Sequence, residues 1–235
     1  MTQAEQMVTI HSKGSTFEGY LARPEGEGPF PAVVVIHEIF GLNDNIKDIA
    51  RRFAAAGYVA LAVDLFAGRN RTICMMRFMS QMVLSPLKND SIENLKDALT
   101  FLTGQADVDA ERLGAIGFCL GGGFSIAWAC NDNRLKAIAP YYGANPRPLA
   151  AVARACPVVG SYPDKDFTAG AGKKLDVELD RYAIPHDIKI YPNTRHSFFN
   201  DQGHSYAEAA SRDSWQRVLT FFQEHINAPV VPIKD

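Results

Sequence analysis

Apolar and polar positions along this chain follow two rhythms in alternation, one of period two or unbroken apolar runs, the other of period 3.6. Two short strands are predicted at the start, "VTIHS" and "FEGYLARP". The second alternates apolar and polar residues, as a half-buried antiparallel hairpin does. "AVVVIHE" and "VALAVDLF" are unbroken apolar runs and predict fully buried strands. "RLGAIGF", "LKAIAPYYG", "CPVVGSYPD" and "HDIKIYP" predict four more. Between these runs the period changes to helical. In "NDNIKDIARRFAAAGY", Ile46, Ile49, Ala50, Phe53 and Ala54 fall on one helix face, with Asn43 or Asp44 as the cap and Gly57 as the stop. "SIENLKDALTFLTG" predicts a helix opening on a Ser91–Asn94 cap and closing at Gly104. "GGFSIAWAC", "GKKLDVELDRYA" and "SYAEAASRDSWQRVLTFFQEHI" predict three more, and the Met- and Arg-rich residues 70–88 a helical excursion. Strands alternating with helices predict an α/β protein: a mostly parallel central sheet with helices on both faces.

Composition narrows this picture without changing it. A chain of 235 residues is ordinary for one α/β domain, so residues 1–235 are read undivided. The formal net charge of -2 leaves no basic footprint for nucleic acid and no patch for a membrane surface. No apolar run approaches the roughly 20 residues of a bilayer span. "MTQAEQMVTI" does not read as a signal peptide, so a cytoplasmic location is expected. Cys74, Cys119, Cys130 and Cys156 form no CxxC pair and no zinc-ligand spacing. No metal or organic cofactor is implied, and a monomer or weak homodimer is expected.

The candidate chemistry begins at "GFCLGG", which lies between a predicted strand and a predicted helix. That is the setting of a nucleophile elbow, Gly-x-nucleophile-x-Gly. The sharp turn puts the nucleophile in strained backbone geometry, and Gly117 and Gly121 relieve the crowding. The following helix N-terminus favours a Cys119 thiolate and, later, an oxyanion. Asp164 and Asp166 follow the strand "CPVVGSY", and His196 follows "HDIKIYP". Nucleophile, acid, His is the chain order of an α/β-hydrolase triad. Asp166 is preferred as the acid, because Asp164 directly follows Pro163 and suits a turn. Glu38 ends "AVVVIHE" on the same sheet rim, and the turn after it is where such enzymes supply a second oxyanion-hole N–H.

Taken together, "HEIFGLN", "GYVALAVDLF", "GFCLGGG", "GSYPDKD" and "RHSFFND" resemble the dienelactone hydrolase family of the α/β-hydrolases, in family order from about Val8 to Ile226. The resemblance implies the α/β-hydrolase fold and hydrolysis of a small-molecule ester or lactone through a covalent thioester. It implies Cys119 as nucleophile, Asp166 as acid, His196 as base and Glu38 as the partner of the resting thiol. The oxyanion hole would be the N–H groups of Ile39 and Leu120. Family members specific for dienelactone hold the substrate carboxylate with two arginines. One stands four residues after the catalytic His, where this chain has Asn200; the other falls among Arg69, Arg71 and Arg77. Losing a bidentate clamp points to a broader esterase or lactonase. By position, Phe40, Tyr141, Phe198 and Phe199 are candidate pocket walls, with Tyr141 or Tyr142 facing the site. The alternative is a DJ-1-like redox or stress protein, which also seats a cysteine beside a carboxylate but does not need His196 and Asp166.

Overall fold

A computed structural model describes residues 4–12, 15–66 and 84–227, with residues 73, 76, 77, 80 and 81 between them. Its strands are β1 (Glu5–Ser12), β2 (Ser15–Ala22), β3 (Phe30–Ile36), β4 (Val59–Val63), β5 (Val108–Phe118), β6 (Leu135–Tyr141), β7 (Val158–Pro163) and β8 (His186–Tyr191). The helices are α1 (Asp44–Ala55), α2 (Asp90–Thr103), α3 (Leu120–Ala129), α4 (Ala169–Arg181) and α5 (Glu208–His225), with a 3-10 turn over Leu149–Arg154. All eight strands join one sheet in the order β1-β2-β4-β3-β5-β6-β7-β8. β1 and β2 are antiparallel to their neighbours and the rest run parallel. The predicted α/β architecture is the observed one.

Unbroken apolar strands are what a sheet covered on both faces requires, because successive side chains point to opposite sides. Val34, Ile36, Leu61, Val63 and Ala115 enter one core, with α2, α3 and α4. Val33, Val35, Ala60, Ala62 and Ile116 enter the other, with α1 and α5. Asn43 caps α1, accepting from the Ile46 N–H at 3.1 Å, and Gly57 follows its end with φ +91°. The cap of α2 differs from the expectation. Asn89 accepts from the Ile92 N–H, whereas Ser91 is buried and donates to Gln81. Most of residues 70–88 lie outside the described set; Ile73, Met76, Arg77, Ser80, Gln81 and Leu84 are helical.

The α3 start shows how tightly this layer is packed against the sheet. A Cβ on Gly117 would lie 2.1 Å from the Gly121 carbonyl oxygen, and one on Gly121 would lie 2.5 Å from that of Ile36. Both obstacles are backbone, so neither can move aside as a flexible side chain would. Gly117→Ala should therefore lower unfolding free energy by about 3 kcal/mol, the upper end of overpacking costs. A urea midpoint that stays at the wild-type value, with unchanged slope, would refute the close fit.

Candidate active site

Five neighbouring sheet strands deliver the candidate residues to one rim. Glu38 and Ile39 follow β3, Cys119 follows β5, Tyr142 follows β6, Asp166 follows β7 and His196 follows β8. Carboxyl ends of parallel strands are where an open α/β sheet leaves a crevice. Here the crevice holds a pocket of about 230 Å³, lined by Ile39, Cys119, Leu120, Tyr142, Asn145 and His196 together with Arg147 and Phe167.

Cys119 sits at the point of the turn with φ 54° and ψ -112°, a strained conformation for any residue other than Gly. Its N–H donates to the Tyr141 carbonyl at 3.0 Å, and its carbonyl accepts from Gly123 N–H at 3.2 Å. Both ends of the turn are thus held. The expected thiolate is not the resting state. Burial and then the Glu38 carboxylate push the Cys119 thiol from 9.0 up to about 12, outweighing the Leu120 N–H that acts in the opposite direction. A helix N-terminus carries only a partial charge, and here it is set against a buried carboxylate.

His196 and Asp166 meet as their order along the chain predicts. Nδ1 of His196 lies 2.6 Å from Asp166 Oδ2. The Phe167 N–H donates to the other carboxylate oxygen at 2.7 Å, and the Thr168 hydroxyl donates to Oδ2. The imidazole stacks on Phe167, with centroids 5.4 Å apart and planes 16° apart, and packs against Tyr142 at 4.9 Å. Ring position is therefore fixed by a carboxylate on one edge and aromatic faces beside it. Asp164 is a turn residue: its carboxylate accepts from the Thr194 N–H at 3.1 Å and ties the His196 loop to β7.

Glu38 is 4% exposed. Ser197 Oγ donates to its Oε1 at 2.8 Å, and the Tyr142 hydroxyl interacts electrostatically with it. Burial and this carboxylate push the Tyr142 hydroxyl well above its usual range. Ser197 was not foreseen in the sequence. Standing directly after His196, with φ 60°, it reaches across to Glu38 because the chain reverses there.

Several expected substrate contacts lie elsewhere. Tyr141 is fully buried, packed on Phe118 and Phe199, while Tyr142 lines the pocket. Both rings join the same core cluster, and Tyr142, one residue past the end of β6 with φ 39°, is the one that reaches the pocket. Phe198 and Phe199 also belong to the core, because the left-handed turn at Ser197 carries the chain inward. Asn200 is a turn residue that bonds back to Ser197 and accepts from the Gln202 N–H, away from the pocket lining. Arg77 pairs with Asp90 at the start of α2 instead of reaching the pocket. Arg69 lies outside the described residues. Arg147, Asn145 and Phe167 were missed as pocket residues. Asn145 and Arg147 stand in the loop after β6 and Phe167 in the loop after β7, and no periodicity announces that either loop lines the pocket. Among the described residues no His, Cys, Asp and Glu cluster is placed to share a metal ion, and no helix is long and apolar enough to cross a membrane.

The model of the dienelactone hydrolase family matches residues 17–226. The chain belongs to the dienelactone hydrolase family. With it, the chain is a carboxylic ester hydrolase of carboxymethylenebutenolidase type. A protein of Saccharolobus solfataricus named as a carboxymethylenebutenolidase is 34% identical, over 93% of this chain and 98% of that protein. Among solved structures, a Klebsiella pneumoniae protein described as a dienelactone hydrolase is 29% identical, with TM-score 0.84, over 95% of this chain and all of that one. A dienelactone hydrolase-like promiscuous phosphotriesterase from metagenomic libraries is 25% identical, with TM-score 0.85, over 96% and 99% of the two chains. Membership in a hydrolase family leaves the redox alternative without support.

Proposed function

We propose that this dienelactone hydrolase family member cleaves small esters or lactones through Cys119, His196 and Asp166, by way of a thioester on Cys119. The observation that carries the reading is the 2.6 Å His196–Asp166 contact beside a positive-φ cysteine in one pocket. Substrate enters against Ile39, Phe167 and Tyr142, and the thiol gives its proton to Glu38. The thiolate attacks the carbonyl carbon. The N–H groups of Ile39 and Leu120 receive the developing oxyanion, donors worth about 3–4 kcal/mol each in analogous sites. Collapse expels the alkoxide, which carries off the proton the thiol gave up. His196, oriented by Asp166, then takes a proton from water as the oxygen attacks the thioester. That proton returns to sulfur when the acid leaves, so one water is consumed for one ester bond cleaved.

Arg147 bears on the substrate. It is an exposed cation on the pocket wall, in a site that lacks the arginine four residues after His196. A charge-assisted bond to a substrate carboxylate from a solvated position is worth about one factor of ten. Wild-type protein is therefore expected to hydrolyse both p-nitrophenyl acetate and a dienelactone. Arg147→Ala should raise KM for the anionic lactone about tenfold and leave the neutral ester unchanged. Steady-state kinetics on the two substrates checks this. Turnover of neither would sink the ester reading, and an equal effect on both would remove Arg147 from anion recognition.

A further inference from the structure

His37 stands between the end of β3 and Glu38, 1% exposed, and the mechanism above does not use it. Its Nε2 lies 3.1 Å from the backbone N of Leu65, which follows β4. A backbone N–H only donates, so Nε2 is the acceptor and the ring proton sits on Nδ1. Nδ1 lies 2.5 Å from the Glu38 carbonyl oxygen and donates to it. The ring packs on Phe66 with centroids 4.8 Å apart, and Asp64 Oδ1 lies 3.9 Å from Nε2. One imidazole thus ties together the loops leaving two adjacent strands.

The consequence follows from peptide geometry. The Glu38 carbonyl and the Ile39 N–H belong to one planar unit and point in opposite directions. Whatever fixes the carbonyl fixes the N–H. On its other side the same segment is held by the elbow: a Cβ on Gly121 would lie 2.7 Å from the His37 carbonyl oxygen. We propose that His37 is a positioning residue for the reaction, holding the 38–39 peptide so that the Ile39 N–H faces the oxyanion above Cys119. The inference rests on the reading of Ile39 as an oxyanion donor.

The test compares His37→Phe, which keeps an aromatic ring beside Phe66 but neither hydrogen bond, with His37→Gln, whose amide carries one donor and one acceptor. Kinetics on p-nitrophenyl acetate are measured alongside alkylation of Cys119 by iodoacetamide, followed by mass spectrometry of the Cys119 peptide. Alkylation needs the thiol but no oxyanion hole. For His37→Phe, kcat should fall about thirtyfold, less than the 10²–10³ seen when such a donor is removed outright. KM and the alkylation rate should stay within about twofold, the pattern of an interaction made in the transition state alone. His37→Gln should recover kcat to within about threefold of wild type. If His37→Phe does not fold, His37→Met carries the same expectation. An unchanged kcat in the variant lacking both bonds overturns the proposal. So does alkylation falling in step with kcat, or a Gln variant as slow as Phe. Retained turnover in Cys119→Ala would instead overturn the parent reading, a separate outcome from any of these.

Discussion

Cys119→Ala is expected to lower turnover of p-nitrophenyl acetate by at least ~10³-fold, because no other nucleophile stands at the elbow. The expectation comes from position as well as chemistry. Cys119 holds φ 54° at the junction of β5 and α3, packs against both cores and opens into the pocket that His196 lines. Alanine can occupy the same backbone conformation at similar strain, so the fold should stay intact. Thermal unfolding of the variant should match wild type within a few degrees, which separates lost chemistry from lost structure. Incubating wild type with a slowly deacylating ester should add one acyl mass to the Cys119 peptide. Turnover that survives the substitution, or an acyl group found elsewhere, would remove Cys119 from the nucleophile role.

Glu38→Gln should move two observables in opposite directions. In the resting protein the Glu38 carboxylate is a principal cause, after burial, of a Cys119 thiol at about 12. Replacing the charge with an amide removes that electrostatic penalty on the thiolate. The thiol should titrate lower, and alkylation by iodoacetamide at pH 8 should speed up, by about threefold for each unit the pKa falls, because the tenfold gain in thiolate is partly offset by its lower nucleophilicity. The sign for wild type follows too: its alkylation should still be rising with pH above 9, where an unperturbed thiol levels off. Turnover should respond the other way. If Glu38 takes the thiol proton as substrate arrives, the amide cannot, and kcat should fall about a hundredfold. Ser197 can still donate to an amide oxygen, so the pocket keeps its shape. Alkylation and turnover rising or falling together would show that Glu38 tunes the thiol without receiving its proton.

Much of this protein can be read from short windows of its sequence. Strand and helix periodicity depends on residues a few positions apart, so "AVVVIHE" and "NDNIKDIARRFAAAGY" announce a doubly covered strand and an amphipathic helix unaided. The elbow is legible for the same reason. Gly117, Cys119 and Gly121 are needed by one local turn, and the turn's crowding is backbone against backbone. Chain order then suggests an acid after β7 and a base after β8, and Asp166 meets His196 there.

Tertiary structure alone decided what surrounds those residues. Which of Tyr141 and Tyr142 reaches the pocket depends on the left-handed backbone at Tyr142, just past β6, and whether Phe198 is wall or core depends on a left-handed turn at Ser197. Arg147 and Phe167 reach the pocket from loops whose paths are set by packing between elements far apart in sequence. The thiol's protonation is the clearest case. A helix N-terminus beside Cys119 can be foreseen from the turn, but its effect is small against burial and a carboxylate delivered from β3. Local patterns encode which elements form and in what order. Burial and charge at the site are sums over several elements, and those sums exist only once the sheet has brought its strands together.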